Sequence, residues 1–282
     1  MAERHLLGIS GGKDSAALAV YMKVHHPEIE MEYFFTDTGK ELPEVYEFLG
    51  QLEGFLGKEI HKLPEIELKR DFDYWLKSFN YYLPSPQTRW CTRVLKLLPF
   101  QQWIKPMLDA GDEVYSYVAI RADEEHRKGM AESHPNLHVV MPFREDGINK
   151  AGVYEILESA ELGLPKYYEW RSRSGCTFCF FQQKIEWVHL LERHPDKFEE
   201  AMKYEKVASE HGSPFTWSQG ESLAELSRPQ RVAEIKDDYE RRKARELARR
   251  PVNPLQVGIP VIDVDDLYDA DEGNGACSIC TK

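Results

Sequence analysis

The sequence predicts a Rossmann-like α/β fold: a parallel sheet flanked by helices, with a helical extension behind it. Three observations predict it. Residues 5–9 are a short apolar run that ends in Ser10-Gly11-Gly12. From Ser15 the chain continues in strong helix formers, Ala16 to Ala19 and Met22 among them. Residues 31–36 read as a second strand ending at Asp37-Thr38-Gly39, after which Pro43 opens a helix through Tyr46, Phe48 and Leu49. The short runs 59–63, 114–120 and 137–141 supply further strands. Strands that alternate with helices form a parallel sheet covered on both faces. Ligands of such sheets sit beyond the carboxyl ends of the strands, where Ser10 and Asp37 both fall.

From about Val153 the pattern changes to helices and aromatic-rich loops. Residues 184–191 and 195–204 read as helices, and 228–250 as a charged helix. After Pro251 comes an irregular segment with an acidic run (Asp263, Asp265, Asp266, Asp269, Asp271, Glu272). The expected division is an α/β core over 1–150, a helical extension over 151–250, and an acidic tail over 251–282. Hydrophobic residues make up 42% of the 282, enough for a packed core. No apolar run approaches the roughly 20 residues that span a bilayer, and residues 1–5 lack a secretory signal. A cytoplasmic protein without membrane contact is therefore expected. The net charge of -12 opposes long-range attraction of nucleic acid, so such contact would need a local basic patch or a partner subunit.

Two glycines directly after a strand let backbone N–H groups converge on one concavity, and the next helix adds its positive end. Lys13 supplies a point charge, and Ser10 and Ser15 supply hydroxyls. The glycine spacing is shorter than in a Walker A loop. Ser10-Gly11-Gly12-Lys13-Asp14-Ser15 resembles instead the PP-loop of the ATP pyrophosphatases, an adenine nucleotide α-hydrolase-like fold. The resemblance implies that residues 10–15, with Asp37, Thr38 and Gly39, hold ATP. Asp37 is also suited to a Mg²⁺ ion, which prefers oxygen ligands and phosphates.

Further motifs resemble the phosphoadenosine phosphosulfate (PAPS) reductase-like branch. They are Thr36-Asp37-Thr38-Gly39 with Leu42-Pro43-Glu44, then Arg89-Trp90-Cys91-Thr92-Arg93 with Lys96, then Arg121-Ala122-Asp123-Glu124 with Arg127, and Arg173-Ser174-Gly175-Cys176-Thr177-Phe178-Cys179. Within that branch the Arg-Trp-Cys-Thr form, and Cys176 to Gln182 with Glu186-Trp187 behind, are similar to the ATP pyrophosphatase of DNA phosphorothioation systems of the Dnd or Ssp type. That resemblance implies catalytic roles for Lys13, Asp37, Cys91 and Arg121, and acceptor contacts for Lys96, Arg121, Arg127 and Arg173. It also implies DNA as acceptor, a cysteine desulfurase as sulfur donor, and other DNA-modification subunits as partners. The alternatives it leaves open are a PAPS or adenosine phosphosulfate reductase, a tRNA thiolase, and a nucleotide-sensing subunit without turnover.

Five cysteines in a reducing compartment point to metal, cluster or sulfur chemistry rather than disulfides. Cys176 and Cys179, joined by Cys91 through folding, can hold an iron–sulfur cluster or zinc. Three small buried thiols are the plain alternative. Cys277 and Cys280 are either a sulfur relay or exposed tail residues.

Overall fold

The computed structural model describes residues 1–64, 70–125, 127, 134–213, 215–218 and 220–249. The tail with Cys277 and Cys280 lies outside the described residues.

Strand β1 (Glu3–Gly8) is followed by helix α1 (Lys13–His25), β2 (Met31–Thr36), α2 (Pro43–Leu56) and β3 (Ile60–Leu63). Then come α3 (Phe72–Ser78), a single turn α4 (Trp90–Thr92), a π-wound turn (Arg93–Leu97) and α5 (Leu98–Asp109). Strands β4 (Glu113–Tyr117) and β5 (Leu137–Val140) complete the sheet. The rest is helical: α6 (Pro142–Glu145), α7 (Lys150–Ser159), a 3₁₀ turn (Lys166–Glu169), α8 (Lys184–Arg193), α9 (Pro195–Glu210), α10 (Leu223–Leu226) and α11 (Pro229–Arg249).

The five strands are all parallel, in the order β3-β2-β1-β4-β5. The chain runs outward one way from β1 through β2 to β3, then returns to the other side of β1 for β4 and β5. The carboxyl end of β1 therefore faces the crevice where the winding reverses. Successive strand residues point to opposite faces, and both faces are dry. Leu6 packs with Phe34, Phe100, Ile104 and Val114 beneath α5. Leu7 and Ile9 pack with Ala16, Ala19 and Val20 of α1 on the other face. This explains why α1 is apolar nearly all round: it lies between the sheet, α2 and α7.

The larger core runs without a break from Leu7 to Trp187, Trp217 and Ile235, so the helical extension and the sheet share one apolar interior. Phe72, Trp90, Phe178, Tyr204 and Trp217 form its aromatic part. Two buried carboxylates are fastened to backbone amides there. Glu205 accepts from Trp217 N (3.0 Å) and Leu223 N (2.7 Å), and Glu186 accepts from Ser172 N (2.6 Å) and Gln183 N (2.8 Å).

The element bounds differ from the sequence reading by a few residues at several ends, and helix 195–204 runs on to Glu210. Helix α1 begins at Lys13, two residues before the run of helix formers, because Gly12 serves as its extended N-cap. The fourth strand stops at Tyr117, although Val118 N still reaches Val140 O (2.9 Å). Helices α3, α5 and α7 were not legible as periodic runs, because aromatic and polar residues interrupt their apolar faces. On α11, Arg241 pairs with Asp237 (3.4 Å) and Arg242 with Asp238 (2.9 Å). No helix of the described residues is long and apolar enough to cross a membrane.

Candidate functional site

The loop after β1 is built around two glycines that admit no side chain. Gly11 has φ +75°, in the left-handed region, and a Cβ there would lie 2.6 Å from Val45 Cγ1 of α2. A Cβ on Gly12 would lie 2.8 Å from Ser174 Oγ. The two serines brace the turn. Ser10 N donates to Ser15 Oγ (3.0 Å), Gly12 N donates to Ser10 Oγ (3.3 Å), and Ser15 Oγ donates to Gly12 O (3.2 Å). We expect Gly11→Ala to force φ out of its basin at a cost of about 1–2 kcal/mol and to move the loop off Val45. A lower unfolding temperature, read by differential scanning calorimetry, is the expected result.

Lys13 is buried at the first position of α1, with its Nζ 3.2 Å from Asp14 Oδ2 and 5.2 Å above the ring of Tyr168. Arg121, arriving after β4, places Nη1 2.9 Å from Asp14 Oδ1. Asp14 thus lies between two cations. Burial pushes its carboxyl up, but the charges of Lys13 and Arg121 outweigh burial and hold it below the usual carboxylate range. Burial alone would lower Arg121, but Asp14 and Glu124 raise it overall, so its charge is permanent. Arg127 joins the same network through Glu124 (2.6 Å). The structure therefore brings together Ser10, Gly11, Gly12, Lys13, Asp14, Ser15, Arg121 and Arg127 at one end of the sheet.

A second cluster lies beside it, after β2. Asp37 Oδ1 accepts from Gly39 N (2.8 Å) and from the Tyr46 hydroxyl (2.8 Å). Burial and the Asp37 carboxylate push the Tyr46 phenol up, which keeps it a donor. Thr38 Oγ1 donates to Glu41 Oε1 (3.0 Å) and lies 3.3 Å from Cys176 Sγ. Burial raises the Glu41 carboxyl, while Lys96 and Arg171 partly offset that rise. Burial, with Glu41 next in size, holds the Cys176 thiol well above its ordinary value. Cys176 is thus kept as a protonated thiol. Arg171 has no solvent exposure and gives Nη2 to Cys176 O (2.7 Å).

Residues 172–183 form the strap that joins the clusters. Thr177 N bonds Lys40 O (2.7 Å), and Ser174 Oγ lies 3.4 Å from Ser10 Oγ. Lys40 in turn bonds Asp73 (2.9 Å) and Glu200 (2.7 Å), tying the strap's docking point to α3 and α9. Arg173 lies 5.8 Å from the ring of Phe181, which Arg89 also approaches at 5.0 Å.

The expected three-cysteine metal set is not assembled here. Among the described residues no three His, Cys, Asp or Glu side chains are gathered for a metal ion. Cys176 turns its sulfur to Thr38 (3.3 Å) and Glu41 (3.9 Å). Cys91 sits half-buried in α4 against the main core. Cys277 and Cys280 fall outside the described residues.

Sequence reasoning missed Glu41 and the docking role of Ser174, and placed Tyr46 in the motif after Asp37 without its bond to that carboxylate. Glu41 and Tyr46 flank Pro43 at the start of α2, within a few residues of Asp37, and that closeness was the one available signal.

Residues 4–134 match the phosphoadenosine phosphosulfate reductase domain family. An uncharacterized protein of Methanocaldococcus jannaschii is 26% identical over 223 residues, covering 76% of this chain and 43% of the relative. The chain thus spans less than half the length of that relative. An uncharacterized 37.8 kDa protein of Escherichia phage 186 is 26% identical over 258 residues, covering 73% of this chain and 75% of the phage protein. Among solved structures, PAPS reductase from Candida auris superposes with a TM-score of 0.46 at 12% identity, covering 61% of this chain and 81% of that one. Residues 4–134 are thus similar to the phosphoadenosine phosphosulfate reductase domain, and they carry the first four strands of the five-stranded parallel sheet.

Proposed function

We propose that this protein cleaves ATP between its α- and β-phosphates to activate an acceptor oxygen for replacement by sulfur, the acceptor being a DNA backbone phosphate. One observation carries the reading: the glycine turn after β1, with Lys13 and Arg121 converging on it at the switch point of the sheet. The polyphosphate would take the backbone amides of the loop, and Lys13 and Arg121 would exchange Asp14 for phosphate oxygens. Asp37 suits a Mg²⁺ ion shared with those oxygens, since its two hydrogen bonds both fall on Oδ1.

In the first step an acceptor oxygen attacks the α-phosphorus. The new O–P bond forms as the α–β bridging bond breaks, and pyrophosphate leaves with the electron pair. In the second step sulfur attacks the activated phosphorus and AMP departs. A persulfide carried near Cys91, Cys176 and Cys179, loaded by a cysteine desulfurase, would supply that sulfur, and a second thiol must then reduce the S–S bond. Lys96, Arg127 and Arg173 are the proposed acceptor contacts, and other modification subunits the proposed partners. Positioning and charge neutralisation supply most of the rate.

The family match over residues 4–134 supports a second reading, reduction of PAPS to sulfite without ATP turnover. The two readings are separated by giving the full chain ATP or PAPS with a thiol reductant. Pyrophosphate from ATP is the expected result. Sulfite from PAPS with no pyrophosphate reverses the order. The acceptor is tested by mass spectrometry of nuclease-digested DNA from cells with and without the gene. Sulfur-containing dinucleotides that vanish on deletion are expected, and their persistence removes DNA as acceptor.

A further inference from the structure

Two adjacent tyrosines, on the 3₁₀ turn (Lys166–Glu169), reach the phosphate loop from more than 150 residues away in sequence. Tyr167 is fully buried, and its hydroxyl donates to Gly11 O (2.7 Å), pinning the carbonyl of the left-handed glycine. Tyr168 stacks on Tyr167 with ring centroids 4.8 Å apart and offers its ring face to Lys13 Nζ. Its hydroxyl oxygen accepts from Lys13 N at 3.3 Å. That amide is the first N–H of α1, the group a helix start turns toward an anion. Gly12 N, the neighbouring amide, is answered by Ser10 Oγ. Two inward amides of the loop are thus occupied by the chain's own hydroxyl oxygens.

We infer that the Tyr168 hydroxyl is a stand-in for a ligand phosphate oxygen at the Lys13 amide, and that it sets the threshold a polyphosphate must exceed to enter the loop. The bond is long for an N–H···O contact and links neutral groups. A phosphate oxygen at the same amide makes a charge-assisted bond roughly twice as strong, so a polyanion displaces the hydroxyl while weaker acceptors do not. The ring keeps its contact with the Lys13 ammonium as the hydroxyl yields. The charged groups facing this point are Lys13, Asp14 and, through Asp14, Arg121. Tyr168 is on this view a specificity-determining residue, and its hydroxyl opposes binding rather than assisting it.

This assignment rests on residues 10–15 being a phosphate loop, and the test separates the two. Full-length wild type, Tyr168→Phe and Tyr167→Phe are titrated calorimetrically with inorganic pyrophosphate and, in parallel, with ATP. Tyr168→Phe keeps the ring and removes the competing oxygen, together with its hydrogen bond to Tyr167, while the Tyr167 hydroxyl keeps its bond to Gly11 O, so pyrophosphate is expected to bind about three- to tenfold more tightly. Tyr167→Phe removes the anchor of Gly11 and is expected to weaken binding. A folding defect lowers affinity and cannot raise it, so tightening has no merely structural explanation. Equal or weaker binding by Tyr168→Phe overturns the assignment. Wild type that binds pyrophosphate but not ATP sinks the ATP reading and leaves Tyr168 to be judged on pyrophosphate. Wild type that binds neither overturns both.

Discussion

If the proposed reaction is the protein's own, Lys13→Met is expected to leave a folded protein whose release of pyrophosphate from ATP is slower by about 100- to 1,000-fold. Lys13 is buried at the mouth of α1, and its ammonium is held by one carboxylate and one aromatic face. Methionine matches the length and apolar body of the side chain, so the packing survives. Asp14 keeps Arg121 at 2.9 Å, so no buried carboxylate is stranded. What disappears is a positive charge that would meet the departing pyrophosphate in a site where water screens little. The effect should fall on kcat more than on KM, because that charge matters most as the α–β bond breaks. Steady-state kinetics with the unfolding temperature measured in parallel decide it. A loss smaller than tenfold in a folded variant would show that Lys13 serves the fold rather than the chemistry.

Glu186→Ala carries the largest expected effect on stability. Glu186 is wholly buried, and each of its oxygens accepts one backbone N–H, from Ser172 and from Gln183. Those two amides bound the strap that carries Ser174, Cys176 and Cys179. Alanine removes both acceptors at once. At about 1–3 kcal/mol for each buried amide left unanswered, the loss is roughly 2–6 kcal/mol. Urea unfolding should show it, and limited proteolysis should show earlier cutting within 172–183. Glu186→Gln retains one acceptor and is expected to recover part of the loss. A change below about 1 kcal/mol in Glu186→Ala would mean that water or a neighbouring oxygen answers the amides.

The sheet was legible because its signals are local. Each parallel strand buried on both faces is a short apolar run closed by a turn residue, and the Gly11-Gly12 turn directly follows one of them. Both ligand-bearing loops were legible for the same reason, since Ser10 and Asp37 end adjacent strands. Long-range pairing was not. Nothing in the sequence connects Tyr167 to Gly11, Arg121 to Asp14, or Thr38 to Cys176. Those contacts exist because the sheet order returns β4 to the side of β1 and because the strap folds back over α2. Glu186 was visible only as part of a motif, and its work as a double acceptor depends on a loop that closes in three dimensions. The surroundings of Cys176 were hidden in the same way: a Cys-x-x-Cys spacing reports that two sulfurs are near each other, while the carboxylate that Cys176 faces comes from residue 41.

Tyr167, Tyr168 and Ser174 touch the phosphate loop from beyond residue 134, outside the span that matches the known domain family. The loop and its cover thus come from different parts of the chain. Likeness confined to residues 4–134 leaves the covering side chains unspecified, and so is a poor guide to which ligand the loop admits.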